Sequence, residues 1–416
     1  MKSRIFSARV LAGFGIACAV AITSPVILGS SPAYADEKPA TLSPEASKPV
    51  MAAKAALDAK NYAEALDRLK EADAVKKTPF DQSIIDQFRL IASLNLSDVA
   101  TAAKAYDSLD ASSSLTPDQK LKFSLAIAQI AYKAKDYPSA ITFSDQYFKA
   151  GGTELSMRSM PAFSYHELKD DPNTIKASNE AIDAYDKAGQ KPPETLLLLV
   201  ASSANKLGDK ETYIAMLERL IVTYPKPEYW PDLIHRVGTK PGVSGKFDLD
   251  LYRLLDAVGG IKGNQYLEYA DAANQAGFPG EAKNILEKGS KAGVIGSSAD
   301  YPRLRDSVQR SVATDQPSIA KAETEAGKQP NGNALVSTGM DYFGYGQNDK
   351  ALSLIQAGIA KGGLKNPEDA KLNLGIVQLA AGNKTDAVAT FKSITSEPAS
   401  SVARLWILKI DAPASE

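Results

Sequence analysis

A turn signal that recurs about every 35 residues is the feature that most constrains this chain. At eight positions a helical stretch ends in a short polar or glycine-containing turn, and the intervals between turns are about 35 residues or twice that. The turn residues are Lys60, Ser97, Lys135, Asp170, Gly208, Gly277, Gly346 and Gly382. The two double intervals leave room for degenerate units near residues 243 and 312. This period predicts stacked helix–turn–helix units.

Small side chains stand at fixed distances from these turns. The fifth residue after the turn is usually alanine, as at Ala140 and Ala282, and the seventh residue before it is usually alanine or glycine, as at Ala128 and Ala270. Two antiparallel helices approach closely only where both carry small side chains, and a bulky residue such as Leu286 then fills the adjoining gap. The pattern therefore predicts tightly paired helices.

The spacing is weaker in the middle of the chain. Counted from Asp170, the rule places Phe163 and Ile175 where small residues are expected, and the segment 238–246 is long and rich in glycine for a turn between paired helices. Sustained period-two alternation, which would predict strands, is nearly absent. The expected fold class is therefore all-α.

The repeat resembles the tetratricopeptide repeat (TPR). Its close small–small contact matches Ala270 with Ala282, its aromatic turn matches 60–62 (KNY), and its proline after the second helix matches Pro225. The resemblance implies a right-handed superhelical solenoid of about ten helix–turn–helix units over residues 46–395. A capping helix and C-terminal tail would occupy 396–416 and cover the apolar face of the last pair.

The N-terminus has the layout of a secretory signal over residues 1–35. Three basic residues precede an apolar run, and the small residues Ala33 and Ala35 flank Tyr34 as at a signal-peptidase site. Cleavage after Ala35 would leave a polar linker over 36–45 and a periplasmic or secreted protein. The alternatives are an uncleaved anchor and lipidation at Cys18, which is the only cysteine.

Composition argues against several classes of function. The net charge of −1 gives no basic surplus for nucleic acid or for an anionic membrane surface, and no later run is apolar enough for an integral membrane span. The histidines His166 and His235 lack the partners of a metal site, so packing is the expected role of both, and acidic pairs at turns are expected to cap helices. We therefore expect no catalytic residues, no metal and no cofactor.

The resemblance also indicates where a partner would bind. In TPR proteins the first helix of each pair lines a concave face, and the groove residues lie six, three and two positions before the turn residue. The candidates are Gln129, Tyr132, Lys133, Asn205, Lys206, Asp271, Asn274, Gln275 and Phe343; the same rule also gives Met340. A protein or peptide segment bound there would be held by amides and aromatic rings.

The aromatic and proline-rich stretch 223–233 (TYPKPEYWPDL) has two interpretations. It is either a helix end followed by a packed Trp230, or a hinge that faces a ligand. The sequence of this stretch is similar to that of periplasmic TPR proteins that accompany TonB/ExbB-type energy-transducing systems. The expected function is a non-enzymatic interaction scaffold or adaptor of the cell envelope. The alternative is a helical-array enzyme or scaffold acting on cell-wall or exported polysaccharide.

Overall fold

A computed structural model describes residues 41–413, and within that range every regular element is helical. The helices follow one another as ten pairs and a closing helix. The pairs are α1 (Pro44–Asp58) and α2 (Tyr62–Asp73), α3 (Pro79–Leu96) and α4 (Val99–Ala111), α5 (Pro117–Lys133) and α6 (Tyr137–Lys149), α7 (Leu155–Glu167) and α8 (Asp171–Lys187), α9 (Glu194–Leu207) and α10 (Lys210–Thr223), α11 (Trp230–Gly238) and α12 (Asp248–Ala257), α13 (Gln265–Gln275) and α14 (Pro279–Lys291), α15 (Asp300–Asp315) and α16 (Ile319–Lys328), α17 (Asn333–Gly344) and α18 (Asn348–Lys361), and α19 (Pro367–Ala380) and α20 (Lys384–Lys392). The closing helix is α21 (Ala399–Asp411), and a short 3-10 helix (Pro227–Tyr229) precedes α11. The predicted all-α repeat fold is confirmed.

The signal sequence, its cleavage after Ala35, lipidation at Cys18 and the first part of the 36–45 linker lie outside the described residues. These assignments therefore stay predictions.

Capping side chains and left-handed residues mark the beginnings and ends of the helices. Thr78 and Thr116 open α3 and α5 with capping boxes, in which each threonine hydroxyl accepts a backbone N–H and the residue at N3 returns a bond. At the other end, a left-handed residue closes the first helix of most pairs. The observed positions are Lys60, Ser97, Lys135, Lys169, Gly208, Gly277, Gly346 and Gly382.

Seven of these eight residues are the predicted turn residues, and the fourth is a correction. The turn of the α7–α8 pair lies at Lys169, with φ of 62°, whereas Asp170 is the N-cap of α8 and its side chain accepts the N–H of Asn173. Counting from Lys169 puts the fully buried Ala162 and Thr174 at the two contact positions in place of Phe163 and Ile175. The unit therefore obeys the small-residue rule.

The small residues lie where paired helices meet. Ala128 and Ala140 are fully buried in α5 and α6, which pack against each other. The contact between α17 and α18 is tighter still. A Cβ added to Gly339 would lie 2.6 Å from Cγ1 of Ile355 and 3.1 Å from the carbonyl oxygen of Ala351. Glycine is required there because the helix backbones leave no room for a side chain.

The chain divides into two compact units, Met1–Tyr213 and Ile214–Glu416, and the division falls within α10. In the first unit each pair packs on the next, from α1 to α9. One apolar cluster runs from α3 to α7, and within it Tyr106 of α4 meets Phe143 of α6 edge to face, with ring centroids 5.4 Å apart. Such a core requires a neighbouring pair on each side, as in a repeat array.

The second unit closes on itself. The closing helix α21 contacts α19 and α20, as a cap would, and it also contacts α11 and α12. The long α11–α12 connection takes part in this closure: Val243 and Phe247 are buried, and Nζ of Lys246 lies 3.0 Å from Oδ1 of Asp369 in α19. The repeat pattern does not predict this arrangement, because it joins segments more than a hundred residues apart.

The degenerate unit predicted near residue 312 is the pair α15–α16, and its turn at 316–318 comes later than expected. Helix α15 packs against α14, α16 packs against α17, and α14 also contacts α17 directly. Val308 is the only residue of α15 that is fully buried. The regular pairs on either side therefore touch each other, and α15 is a largely exposed polar helix.

A buried ionic network joins α12, α13 and α14. The Arg253 guanidinium donates to both carboxylate oxygens of Glu281, at 2.8 and 2.7 Å, and to Asp250 at 2.8 Å. The Tyr269 hydroxyl donates to Glu281 at 2.7 Å. Arg253 and Glu281 are each only 6% exposed. Removing one member of such a pair is costly because the other charge stays buried without a partner.

We expect Glu281→Ala to destabilise the second unit by about 3–5 kcal/mol, since two buried guanidinium donors of Arg253 and the Tyr269 hydroxyl lose their acceptor and only Asp250 still pairs with Arg253. Urea unfolding followed by far-UV circular dichroism measures the change. Glu287→Ala on the same helix is the matched control: its exposed carboxylate lies 4.0 Å from Lys283, and its removal should change stability by less than about 0.5 kcal/mol. Equal effects of the two substitutions would contradict the structural role of the network.

Candidate partner-binding surfaces

The predicted groove residues all lie on first helices of pairs. Those on α5 are Gln129, Tyr132 and Lys133, and those on α9 are Asn205 and Lys206; both helices belong to the first unit. Those on α13 are Asp271, Asn274 and Gln275, and Phe343 lies on α17; these belong to the second unit. The candidates therefore form two separate surfaces, one on each unit.

In the first unit an aromatic pair begins the candidate surface. The half-buried Tyr132 packs on the apolar cluster, and its ring meets Tyr137 edge to face at a centroid distance of 5.8 Å. Burial, and then the charge of Glu167 at the end of α7, raise the pKa of Tyr137. Glu167 is close enough to act on Tyr132 as well. Side chains from α5, α6 and α7 thus share one patch, beside the exposed Lys133.

The patch continues from α7 to α9 through charged groups. Oδ1 of Asp171, at the start of α8, accepts from the Ser203 hydroxyl at 2.7 Å and from Lys206 Nζ at 3.0 Å. Burial would raise the pKa of Asp171, but these two bonds hold it below its usual value. Lys206 is 45% exposed despite this ion pair, so part of its ammonium group faces solvent.

His166 lies between the two halves of this patch. It is half-buried, as the packing interpretation predicted, and Nδ1 has no hydrogen-bond partner among the described residues. Burial, followed by the charges of Lys206 and Lys169, lowers the pKa of His166. The ring is therefore neutral at pH 7, and a neutral imidazole can accept or donate one hydrogen bond. We name the surface formed by Tyr132, Tyr137, His166, Glu167 and Lys206 the first-unit strip.

In the second unit a groove separates α13 from α15. Its volume is about 620 Å³, and the predicted residues Asp271 and Gln275 line it. The Gln275 amide donates to Asp271 at 2.7 Å. On the opposite wall, α15 contributes Arg303 and Arg310. The groove therefore presents charges of both signs.

The remaining second-unit candidates are less accessible. Asn274 is half-buried, and its Oδ1 has no partner among the described residues. Phe343 packs against the apolar cluster of α16 to α19, so only part of its ring faces outward. Met340, which the same spacing rule selects, is 1% exposed, so it cannot contact a partner. The rule fails there because α16 covers α17.

Both surfaces also contain residues that were not among the predicted groove residues. Tyr137 lies two residues after its turn residue, outside the three positions used to select groove residues, whereas Glu167 lies two residues before Lys169 in a unit to which the rule was not applied. Arg303 and Arg310 lie on a degenerate helix to which the spacing rule was not applied. Charge and aromaticity within two residues of each turn would have selected the first two, whereas nothing local signals that α15 faces α13.

Residues 41–413 contain no cluster of three or more His, Cys, Asp or Glu side chains placed to hold a metal ion. No helix in the same range combines the length and the apolar character that a bilayer span requires.

Two segments of the chain match family models described as tetratricopeptide repeat, at residues 195–227 and 337–401. The first covers most of α9 and all of α10, and the second runs from α17 to the start of α21. A search of curated proteins gives no significant match.

Similar solved structures include the TPR2AB domain of yeast Sti1 complexed with pHSP90, at 12% identity over 70% of this chain and 97% of that chain, with a TM-score of 0.24. A tetratricopeptide repeat protein from Parabacteroides merdae has 14% identity over 70% and 99%, with a TM-score of 0.24. Yeast Tom70 has 12% identity over 88% and 95%, with a TM-score of 0.23. These TM-scores are low, so the assignment rests on the family models and on the helical pairs themselves. Two segments of the chain, residues 195–227 and 337–401, therefore belong to the tetratricopeptide repeat family.

Proposed function

We propose that the protein is a scaffold or adaptor of the bacterial cell envelope and that it binds a partner protein through the first helices of its repeats. The first-unit strip is the main contact surface. Proteins of the tetratricopeptide repeat family are in general interaction scaffolds, and this supports the proposal that the protein is a scaffold. The partner is a polypeptide segment rather than a nucleic acid, since the chain has no basic surplus.

The observation that carries the proposal is the composition of the first-unit strip. It joins two half-buried tyrosines, a neutral histidine and a lysine that is only partly neutralised by Asp171. Rings fixed by packing offer contact area at little cost in conformational entropy. The exposed Lys133 and Lys206 lie where they can meet acidic side chains or backbone carbonyls. The strip therefore suits an extended segment with acidic and apolar residues.

The envelope location and the link to a transport system rest on the sequence. The layout of residues 1–35 supports export, and the resemblance of 223–233 to periplasmic TPR proteins beside TonB/ExbB-type systems supports the link. Both are parts of the proposal.

To test the binding surface, a photo-cross-linking residue is placed at Lys133 or Lys206 in the full chain expressed in living bacteria. We expect both positions to give the same cross-linked partner, identified by mass spectrometry. Lys149 and Lys187, exposed on the second helices α6 and α8, serve as controls and should not give that product. The proposal fails if the second-helix positions capture the partner as efficiently as the strip.

A substitution series gives the energetic test. We expect Tyr132→Ala combined with Lys206→Ala to weaken capture of that partner at least about tenfold, because aromatic and charged anchors dominate such interfaces. Lys149→Ala combined with Lys187→Ala should leave capture unchanged. Circular dichroism of each purified variant shows whether the fold is retained. Wild-type capture by a folded strip variant would contradict the assignment.

Export is tested by cell fractionation and N-terminal sequencing. The proposal predicts that the mature protein begins at Asp36 and leaves the cytoplasm. A protein that stays in the cytoplasm with Met1 intact would contradict the envelope location while leaving the binding surface untouched.

The alternative function is a helical-array enzyme or scaffold that acts on cell-wall or exported polysaccharide. One observation favours it. Burial, and then the charge of Asp315, raise the pKa of Asp341 on α17 to about 7, and the Tyr345 hydroxyl donates to Asp315 at 2.7 Å. A carboxyl group that holds its proton near neutral pH can act as a general acid. The same shift also follows from partial burial of a carboxyl group beside a like charge.

Asp341 should make stability depend on pH. The carboxyl group titrates near 3.8 when unfolded and near 7 when folded, so the folded state binds more protons between these values and loses stability as pH rises from about 4 to 7. We expect Asp341→Asn to be more stable than the wild type by about 1–2 kcal/mol at pH 8, a range reduced for partial solvent exposure. The two proteins should converge below about pH 4.

Urea unfolding of both proteins at pH 4, 6 and 8 measures the difference. A constant difference would show that Asp341 does not titrate as described. Incubation with peptidoglycan separates the functions: release of soluble fragments by the wild type, abolished in Asp341→Asn, would favour the enzyme over the adaptor.

A further inference from the structure

The aromatic and proline-rich segment 223–233 lines a cavity in the second unit that the proposed partner surface does not use. The cavity has a volume of about 590 Å³, within the range of small-ligand sites. Pro225, Pro227 and Trp230 line one side, and Leu379 and Ile410 line another. The ends of α12, α19 and α21 and the first residue of α20 meet there, so the closure of the second unit by α21 forms the cavity.

The charge in this cavity is of one sign. Lys384 and Lys409 line it, and none of the described residues that line it carries a carboxylate. Neither ammonium group forms an ion pair within the described residues, whereas many other lysines do, including Lys371, which lies 2.8 Å from Glu368. Lys409 is half-buried, and burial followed by the charge of Lys384 lowers its pKa. An anion bound between the two ammonium groups would offset the burial of Lys409 and its repulsion by Lys384.

The helix ends around the cavity add to this field. Helix α20 begins at Lys384, and its N-cap Asn383 makes no side-chain capping bond, so backbone N–H groups of the first turn are without a cap. The carbonyl ends of α12, α19 and α21 carry partial negative charge, which favours the ammonium groups when no ligand is bound. Each helix end amounts to about half a charge at most, and these do not replace a full anionic partner.

The apolar walls restrict what the anion can be. Trp230 is 5% exposed and lines the cavity, and the two prolines beside it are rigid and carry no N–H donor. A fully hydrated inorganic anion would leave these surfaces unused. A ligand with one charged end and one apolar end would cover both parts of the cavity.

We infer that this cavity, the Lys384–Lys409 pocket, binds a carboxylate that carries an apolar substituent. The carboxylate lies between the two ammonium groups, and the substituent packs against Trp230, Pro225 and Pro227. Two sources share this chemistry: the free C-terminus of a polypeptide that ends in an apolar residue, and a free aromatic or aliphatic carboxylic acid. Recognition of this ligand is separate from binding at the first-unit strip.

The test uses the whole protein and three probes in titration calorimetry at low salt. The probes are acetyl-Ala-Ala-Phe with a free carboxylate, the same peptide with a C-terminal amide, and 3-phenylpropanoate. We expect the free acid peptide to bind with a dissociation constant on the order of micromolar to millimolar and the amide at least about tenfold more weakly. Binding of the peptide without phenylpropanoate assigns the site to polypeptide ends, and binding of both shows that a small acid suffices.

Variants locate the binding. Lys384→Gln and Lys409→Gln should each weaken binding of the acid peptide about tenfold, since each removes one charged donor. The exposed Lys392→Gln, on the same helix as Lys384, is the matched control and should bind as the wild type does. Lys384 is itself exposed, so its variant is expected to fold even if the Lys409 variant does not. Absence of binding by both acids, equal binding of acid and amide, or wild-type binding by Lys384→Gln would overturn the inference.

Discussion

The close approach of two helices at small side chains is the contact on which this structure depends. The alanine five residues after a turn packs near the alanine or glycine seven residues before it, as Ala140 and Ala128 do in the α5–α6 pair. The larger side chain nine residues after the turn fills the adjoining space, as Leu286 does in the α13–α14 pair. Close packing has two consequences. The apolar residues are committed to the interior, and the polar residues of each first helix are left to face outward. Partner binding is proposed on that outward face.

Local signals sufficed for most of the fold. The helix pairs, seven of eight turn residues and the small contacts could be read from spacing, because each depends on residues less than about 20 apart. The turn predicted at Asp170 lies one residue earlier, at Lys169, because Asp170 is the N-cap of α8 and not the left-handed turn residue. No local pattern indicates that α21 packs on α11 and α12, or that α14 contacts α17 as well as α15. Both depend on contacts between segments distant in the sequence.

The candidate surfaces show the same division. The candidate residues on α5, α9 and α13 followed from the family pattern. Phe343, however, is partly buried against the apolar cluster, and Met340 is fully buried. His166 and Glu167 lie three and two residues before Lys169, so the same rule selects them once the turn is placed at Lys169. The Lys384–Lys409 pocket joins Pro225 to Lys409, and the sequence offered only the unexplained segment 223–233 as a sign of it. The repeat pattern thus predicts the helix pairs, whereas the groove beside α15 and the Lys384–Lys409 pocket lie where the chain departs from that pattern.

Two substitutions on one helix test the central contact most directly. Ala100 and Ala102 are both on α4; Ala100 is exposed, and Ala102 is fully buried at the fifth position after the Ser97 turn. Urea unfolding of Ala102→Leu should show a loss of about 1–3 kcal/mol, because the paired helices cannot separate without losing other contacts. Ala100→Leu should change stability by less than about 0.5 kcal/mol. Equal stability of the two variants would contradict the claim that close helix pairing holds the array together.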